Sequence, residues 1–215
     1  MKKVILMLAI IGLAFTSCKD CEKKSVATDV VEVATKVVVE AVDYKGDFVV
    51  DVINSNVTWK GYKPTGSHNG ALKIKSGSFS FANGALASGE FLLDMTSIEV
   101  LDIPADHKNN AKLLGHLKSD DFFGTEKNPV AIFKVITVDG NTVSGDLTIK
   151  GITKSVTFTA NSSEDNGVMS FESEVFKIDR TDFDIKYKSK SFFENLKDKF
   201  INDEIEISFA VNSVK

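Results

Sequence analysis

The chain has 215 residues, of which 43% are hydrophobic and 26% charged, with 3 prolines and 14 glycines. That balance excludes collagen-like, Pro-rich and disordered chains and suits a folded unit with its own core. The formal charge is −4 and no block of basic residues occurs, which excludes nucleic acid as a partner, because a phosphate backbone must be met by clustered cations.

Lys2 and Lys3 precede an uncharged run from Val4 to Phe15. A membrane span needs about 20 apolar residues, so this run is too short to cross and stay. It reads as the apolar centre of a secretory signal peptide over residues 1–17. Phe15-Thr16-Ser17-Cys18 replaces the usual small-x-small cleavage site and resembles a bacterial lipobox. On that reading Cys18 becomes the first mature residue and the lipid attachment point, and the protein sits on a membrane of the bacterial cell envelope. Cys18 and Cys21 also spell C-x-x-C, but a redox pair belongs at a strand–helix junction inside a domain. With Cys18 acylated, Cys21 is unpaired. Residues 18–50 mix Val, Ala, Thr, Glu and Lys, with no aromatic side chain before Tyr44, and read as a tether.

From residue 51 the period becomes two. Val57 and Trp59, Phe79 and Phe81, and Phe91, Leu93 and Met95 share faces. Phe133 with Val135, Leu147 with Ile149, Val156 with Phe158, Phe171 with Val175, and Ile205 through Val211 continue the pattern. Half-buried antiparallel strands alternate in this way. Asn83-Gly84, Asp139-Gly140, Lys150-Gly151 and Asn166-Gly167 supply hairpin turns. The pattern predicts strands near 56–63, 71–81, 87–95, 130–137, 142–150, 154–161, 167–178 and 203–213. Closing these eight into an up-and-down all-β barrel over residues 51–215 removes both edges. Residues 107–123 break the alternation as a helical insertion between strands 3 and 4, with Ala111, Leu114 and Leu117 on one stripe. Residues 192–200 read as a short helix before the last strand.

Arg180 is the only arginine among 26 basic residues. A planar, bidentate donor suits either a carboxylate or phosphate headgroup at the barrel rim, or a structural pair with Asp94, Asp120 or Asp182. His68, His107 and His116 lack metal-ligand spacing; no metal is expected, and His68 and His116 are rim candidates. No nucleophile elbow, zinc-binding HExxH, P-loop or dinucleotide motif occurs, so no catalytic residue is assigned.

Several longer stretches are more specific. Asn56-Val-Thr-Trp-Lys-Gly-Tyr-Lys, Gly66-Ser-His-Asn-Gly, Asp94-Met-Thr-Ser-Ile, Leu114-Gly-His-Leu-Lys-Ser-Asp-Asp-Phe-Phe, Pro129-Val-Ala-Ile-Phe, Gly145-Asp-Leu-Thr-Ile-Lys-Gly-Ile-Thr-Lys and Ile178-Asp-Arg-Thr-Asp-Phe appear in that order. This succession resembles the YceI-like family of lipid-binding proteins, in a lipoprotein form. The resemblance implies an extended, lipocalin-like barrel with a long apolar channel for a polyisoprenoid, isoprenoid quinone or fatty-acid-like amphiphile. It implies no cofactor beyond such a bound lipid. The candidate wall is Trp59, Phe79, Phe91, Phe133, Leu147, Phe158 and Phe171. The partners expected are this apolar molecule and, through the anchor, a membrane; a homodimer stays open. The competing readings are a scaffold lipoprotein with a filled barrel and an enzyme acting on an isoprenoid lipid. The mass of the mature protein checks the anchor: an acylated Cys18 is expected at the N-terminus, and a bare cysteine or a cut elsewhere defeats it.

Overall fold

Alternation of one apolar and one wet face leaves each strand needing a neighbour on both sides, and the chain meets that need with a ring. The computed structural model describes residues 45–215; the signal segment, Cys18, Cys21 and most of the tether lie outside them. The strands are β1 (Gly46–Val49), β2 (Asn56–Lys63), β3 (Gly66–Ala82), β4 (Ala85–Val100), β5 (Val130–Asp139), β6 (Thr142–Ile149), β7 (Ile152–Asp165), β8 (Val168–Ser173), β9 (Phe176–Asp179) and β10 (Glu204–Asn212), with helix α1 (Lys108–Lys118) between β4 and β5. The sheet runs β3-β2-β10-β8-β7-β6-β5-β4, and β3 pairs with β4, so it returns on itself. All pairings are antiparallel, and β8 and β9 take turns along one side of β10. The result is the expected closed eight-position barrel with a helical insertion.

The hairpins follow from backbone chemistry. Asn83-Gly84 and Asn166-Gly167 both place two successive residues at positive φ, as the tight mirror-image turn demands. The Asp94-Met-Thr-Ser stretch is a bulge in β4, where the pairing with β3 shifts register between Ala71 and Lys73. Its freed backbone groups are met by side chains. Asp94 Oδ1 accepts from the Thr96 N–H and hydroxyl, and Ser97 Oγ donates to Asp94 O while accepting from Lys73 N–H. With two more shifts along the same pair, these irregularities let strands of 17 and 16 residues coil round a narrow barrel.

Strands β3, β4 and β7 extend at one end up to five residues beyond the expected 71–81, 87–95 and 154–161, and four larger departures stand out. Residues 46–49, assigned to the tether, form β1 on the end of β3, because Phe48 finds the Phe79 ring at 5.7 Å. The strand expected over 167–178 divides at Glu174-Val175, where Val175 turns outward and is 64% exposed. The helix expected over 107–123 ends at Lys118, capped by Ser119 Oγ donating to His116 O. The short helix expected over 192–200 is one 3-10 turn at Lys197–Lys199, since Asn195 and Lys197 both take positive φ, which no continuous α-helix allows.

Strand approach is closest at Gly70, where an added Cβ would lie 1.8 Å from Glu99 O and 2.7 Å from the Trp59 ring. Gly61, one strand away, has nothing within 4 Å of that position. Gly70→Val is therefore expected to cost about 3 kcal/mol by forcing β3 from β4. Gly61→Val should stay within about 0.5 kcal/mol; urea denaturation of both variants reads the contrast.

Candidate ligand cavity

The inward residues do not fill the barrel evenly. At one end Phe48, Phe79, Phe91 and Phe171 stack while Phe81 meets Phe79 edge-on, with Phe79–Phe81, Phe79–Phe91 and Phe91–Phe171 centroids 5.8, 6.3 and 6.4 Å apart. This plug is dense, and Phe79 and Phe171 are buried. Beyond it the same apolar walls enclose a cavity of about 230 Å³, more than ten times the ~10–15 Å³ that one water requires.

Trp59, Phe91, Phe133, Leu147 and Phe158 line this cavity. Phe79 and Phe171, expected in its wall, do not: they lie in the plug beneath it, because strand parity sets which face a residue takes but not its height along the barrel axis. Phe176, Ile207 and Phe209 also line it and were not singled out. Phe209 and Ile207 lie on the alternating face of the last strand, so a signal existed for them. Phe176 stands beyond the strand break, which hid its partnership with Phe158 at 4.6 Å. Phe122 and Phe123 enter from the turns after α1.

The polar groups gather at the other end. Tyr62, Lys63 and His68 from the β2–β3 hairpin, His116 on α1, and Asn202 border the cavity there. His68 Nδ1 lies 2.7 Å from Asp102 Oδ2, and the Asn69 N–H donates to Asp102 Oδ1. Burial alone would raise the Asp102 carboxyl, but those two contacts hold it below the ordinary carboxylate value. The Asp102 bond orients the His68 ring. His107 serves elsewhere, accepting from the Asn109 N–H as the helix N-cap.

His116 packs on Tyr187 at 4.4 Å and on Phe122 at 5.6 Å. Its Nε2 and the Trp59 Nε1 are buried and have no hydrogen-bond partner among the described residues. Burial, with help from Lys188, pushes the imidazole below its ordinary value of 6.5 against an opposing pull from Asp121.

Arg180 borders the cavity but is fully buried, and its donors are committed to the protein. Nε donates to Asn202 O at 3.0 Å, Nη1 to Ile185 O at 2.5 Å, and Nη2 to Ile201 O and Asp203 Oδ1 at 3.0 and 3.2 Å. The face of Phe122 lies 5.7 Å from the guanidinium carbon. Of the two roles open to Arg180 the structure shows the structural one, with every guanidinium nitrogen donating to the protein rather than to a headgroup, and its acid is Asp203 rather than Asp94, Asp120 or Asp182. Sequence spacing does not reveal the pair, because the two lie 23 positions apart, at either end of the loop that the arginine closes.

A model of the YceI-like domain matches residues 48–213. The chain belongs to the YceI-like family. Its fold is shared with BcnA of Burkholderia cenocepacia at a TM-score of 0.60 and 21% identity, over 77% of this chain and 99% of BcnA. A polyisoprenoid binding domain from Saccharophagus degradans superposes at 0.56 with 13% identity, over 78% and 98% of the two chains. UPF0312 proteins are closer in sequence over shorter stretches. That of Staphylococcus aureus (strain N315) is 51% identical over 61 residues, 28% of this chain and 33% of the relative. That of Staphylococcus epidermidis (strain ATCC 12228) is 51% identical over 53 residues, 25% and 29% of the two. The YceI-like chain thus spans about a third of the length of the curated relatives it matches.

Two outcomes follow from the mouth of this YceI-like barrel. Arg180→Lys should destabilise by about 3 kcal/mol, because one ammonium cannot reach three separated carbonyls and leaves buried acceptors unmet; denaturant melts measure it. His116 has a folded value below its unfolded one, so its contribution is complete above pH 6.5 and shrinks as pH falls below that. His116→Phe should flatten the fall in urea midpoint between pH 7 and lower pH; an unchanged slope overturns this assignment.

Proposed function

We propose that this YceI-like protein binds and carries a long-chain apolar molecule, such as a polyisoprenoid, an isoprenoid quinone or a fatty-acid-like amphiphile. The carrying observation is the cavity of about 230 Å³, walled by Phe, Leu, Ile and Trp side chains above a solid aromatic plug. Burying about 500 Å² of a prenyl or acyl chain contributes on the order of 12 kcal/mol at 25 cal/mol/Å². Association and ordering offset much of that, which leaves micromolar or tighter binding without a charged contact. The domain from Saccharophagus degradans, described as polyisoprenoid binding, supports the same ligand class.

The polar end of the ligand faces the mouth. A hydroxyl or carbonyl placed there satisfies Trp59 Nε1 and His116 Nε2, two buried atoms otherwise left without partners. We assign the protein to the bacterial cell envelope through acyl chains on Cys18, where two or more chains give durable anchoring.

A scaffold with a filled barrel would have no such cavity. An enzyme acting on an isoprenoid would use His68, the histidine held by Asp102, as its base. Binding without turnover is the reading favoured, because the groups able to move a proton gather at the mouth and the rest of the wall is apolar.

The test is mass spectrometry of organic extracts from protein purified without detergent. A stoichiometric prenyl or acyl lipid is expected, and Leu147→Trp, which fills the cavity from its wall, should reduce it to background. An extract free of lipid, with the cavity equally indifferent to added long-chain amphiphiles, would sink the carrier reading.

A further inference from the structure

Residues 186–200 form an irregular loop at the cavity mouth, and their composition is unlike the rest of the chain. Five lysines (Lys186, Lys188, Lys190, Lys197 and Lys199) stand against Glu194 and Asp198 alone, in a protein whose formal charge is −4. At its tip Phe192 and Phe193 are each 51% exposed, which two adjacent large rings do at a hydrophobic cost. The lysines lie beside the rings: Lys186 Nζ is 4.9 Å from the Phe192 ring centre and Lys190 Nζ is 4.8 Å from that of Phe200. Lys186 is also paired with Asp184 at 2.6 Å, which leaves Lys188, Lys190, Lys197 and Lys199 as the cations without an acidic partner within 4 Å among the described residues.

The loop is positioned, not loose. Arg180 binds Ile185 O before it and Ile201 O and Asn202 O after it. Ser191 Oγ donates to Asp203 Oδ2, and the Ile201 N–H to Lys188 O. Tyr187, inside the loop, packs on His116 of the cavity wall, and Ile201 and Asn202 border the cavity themselves.

We propose that this loop docks the barrel on an anionic lipid surface, with Phe192 and Phe193 inserted at headgroup level and the lysines on lipid phosphates. Aromatic tips flanked by lysine suit the membrane interface, where rings reach the acyl boundary and cations stay with the headgroups. A protein partner fits less well: lysine is depleted at protein interfaces, and the patch offers neither a groove nor a free strand edge. The consequence is orientation, because the cavity mouth is presented to the bilayer. The docking stands independently of which ligand the cavity holds, and it is separate from any anchor at Cys18.

A probe inside the loop tests this whatever the N-terminus does. In the full chain carrying Trp59→Phe and Phe193→Trp, the single indole reports from the tip. With phosphatidylglycerol vesicles its emission should shift to the blue and be quenched by brominated acyl chains, far less so with phosphatidylcholine alone or at high salt. Changing Lys190, Lys197 and Lys199 to Gln should weaken the response about a hundredfold, at roughly fivefold per lysine, and reversal to Glu should weaken it further. No shift on anionic vesicles, an equal shift on both lipids, or indifference to the lysine changes overturns the proposal. A shift with a soluble acidic protein but none with vesicles overturns it too, in favour of a protein partner.

Discussion

Closing the ring between β2 and β10 creates an inside. Residues 56–61 pair with 205–210, joining the first wall strand to the last across almost the whole domain. Without that seam, β2 and β10 would each present unpaired N–H and C=O groups. The apolar faces would then have no common enclosure, and the difference between a core and a cavity would not arise. Everything at the mouth hangs on the same seam, because the segment that carries Arg180, the lysine-rich loop and Asn202 is the chain's approach to β10.

Within that enclosure, filling is a matter of where the rings sit. Phenylalanine from β1, β3, β4 and β8 crowds one end, while the walls further along carry rings that lie against the barrel and leave its axis free. Gly145 shows how tightly such a ring can lie: a Cβ there would meet the Phe133 ring at 2.5 Å. Removing a side chain from β6 gives that ring a bed in the wall, so it need not cross the lumen. Glycine in a strand ordinarily weakens it; here it shapes the space beside it.

Much of the architecture was legible because period-two alternation and Asn-Gly turns are local signals. Trp59, Phe91, Phe133, Leu147 and Phe158 could be placed facing inward from parity alone. Parity is blind to height along the axis, so Phe79 and Phe171 could not be told apart from the cavity residues. Bulges were equally silent, since the three extra residues beside Asp94 reset the alternation that reveals a strand. The specific stretches acquire physical meanings: Asp94-Met-Thr-Ser closes a bulge, Ser119 caps α1, and Asp179-Arg-Thr builds a capped turn. The role of Arg180 was undecidable because three of its four partners are backbone carbonyls, which leave no trace in residue identity.

That arginine has a further consequence for how the protein can diverge. Both stems of the 186–200 segment are clasped by one guanidinium, so the span between them begins and ends at fixed points whatever its contents. Lengthening such a span is thermodynamically mild, about 0.6 kcal/mol for each doubling. The docking tip can therefore be rewritten, extended or recharged between relatives while the β-strand frame stays as it is. The stretch between those two fixed stems is thus free to vary in length and charge at little cost to the barrel.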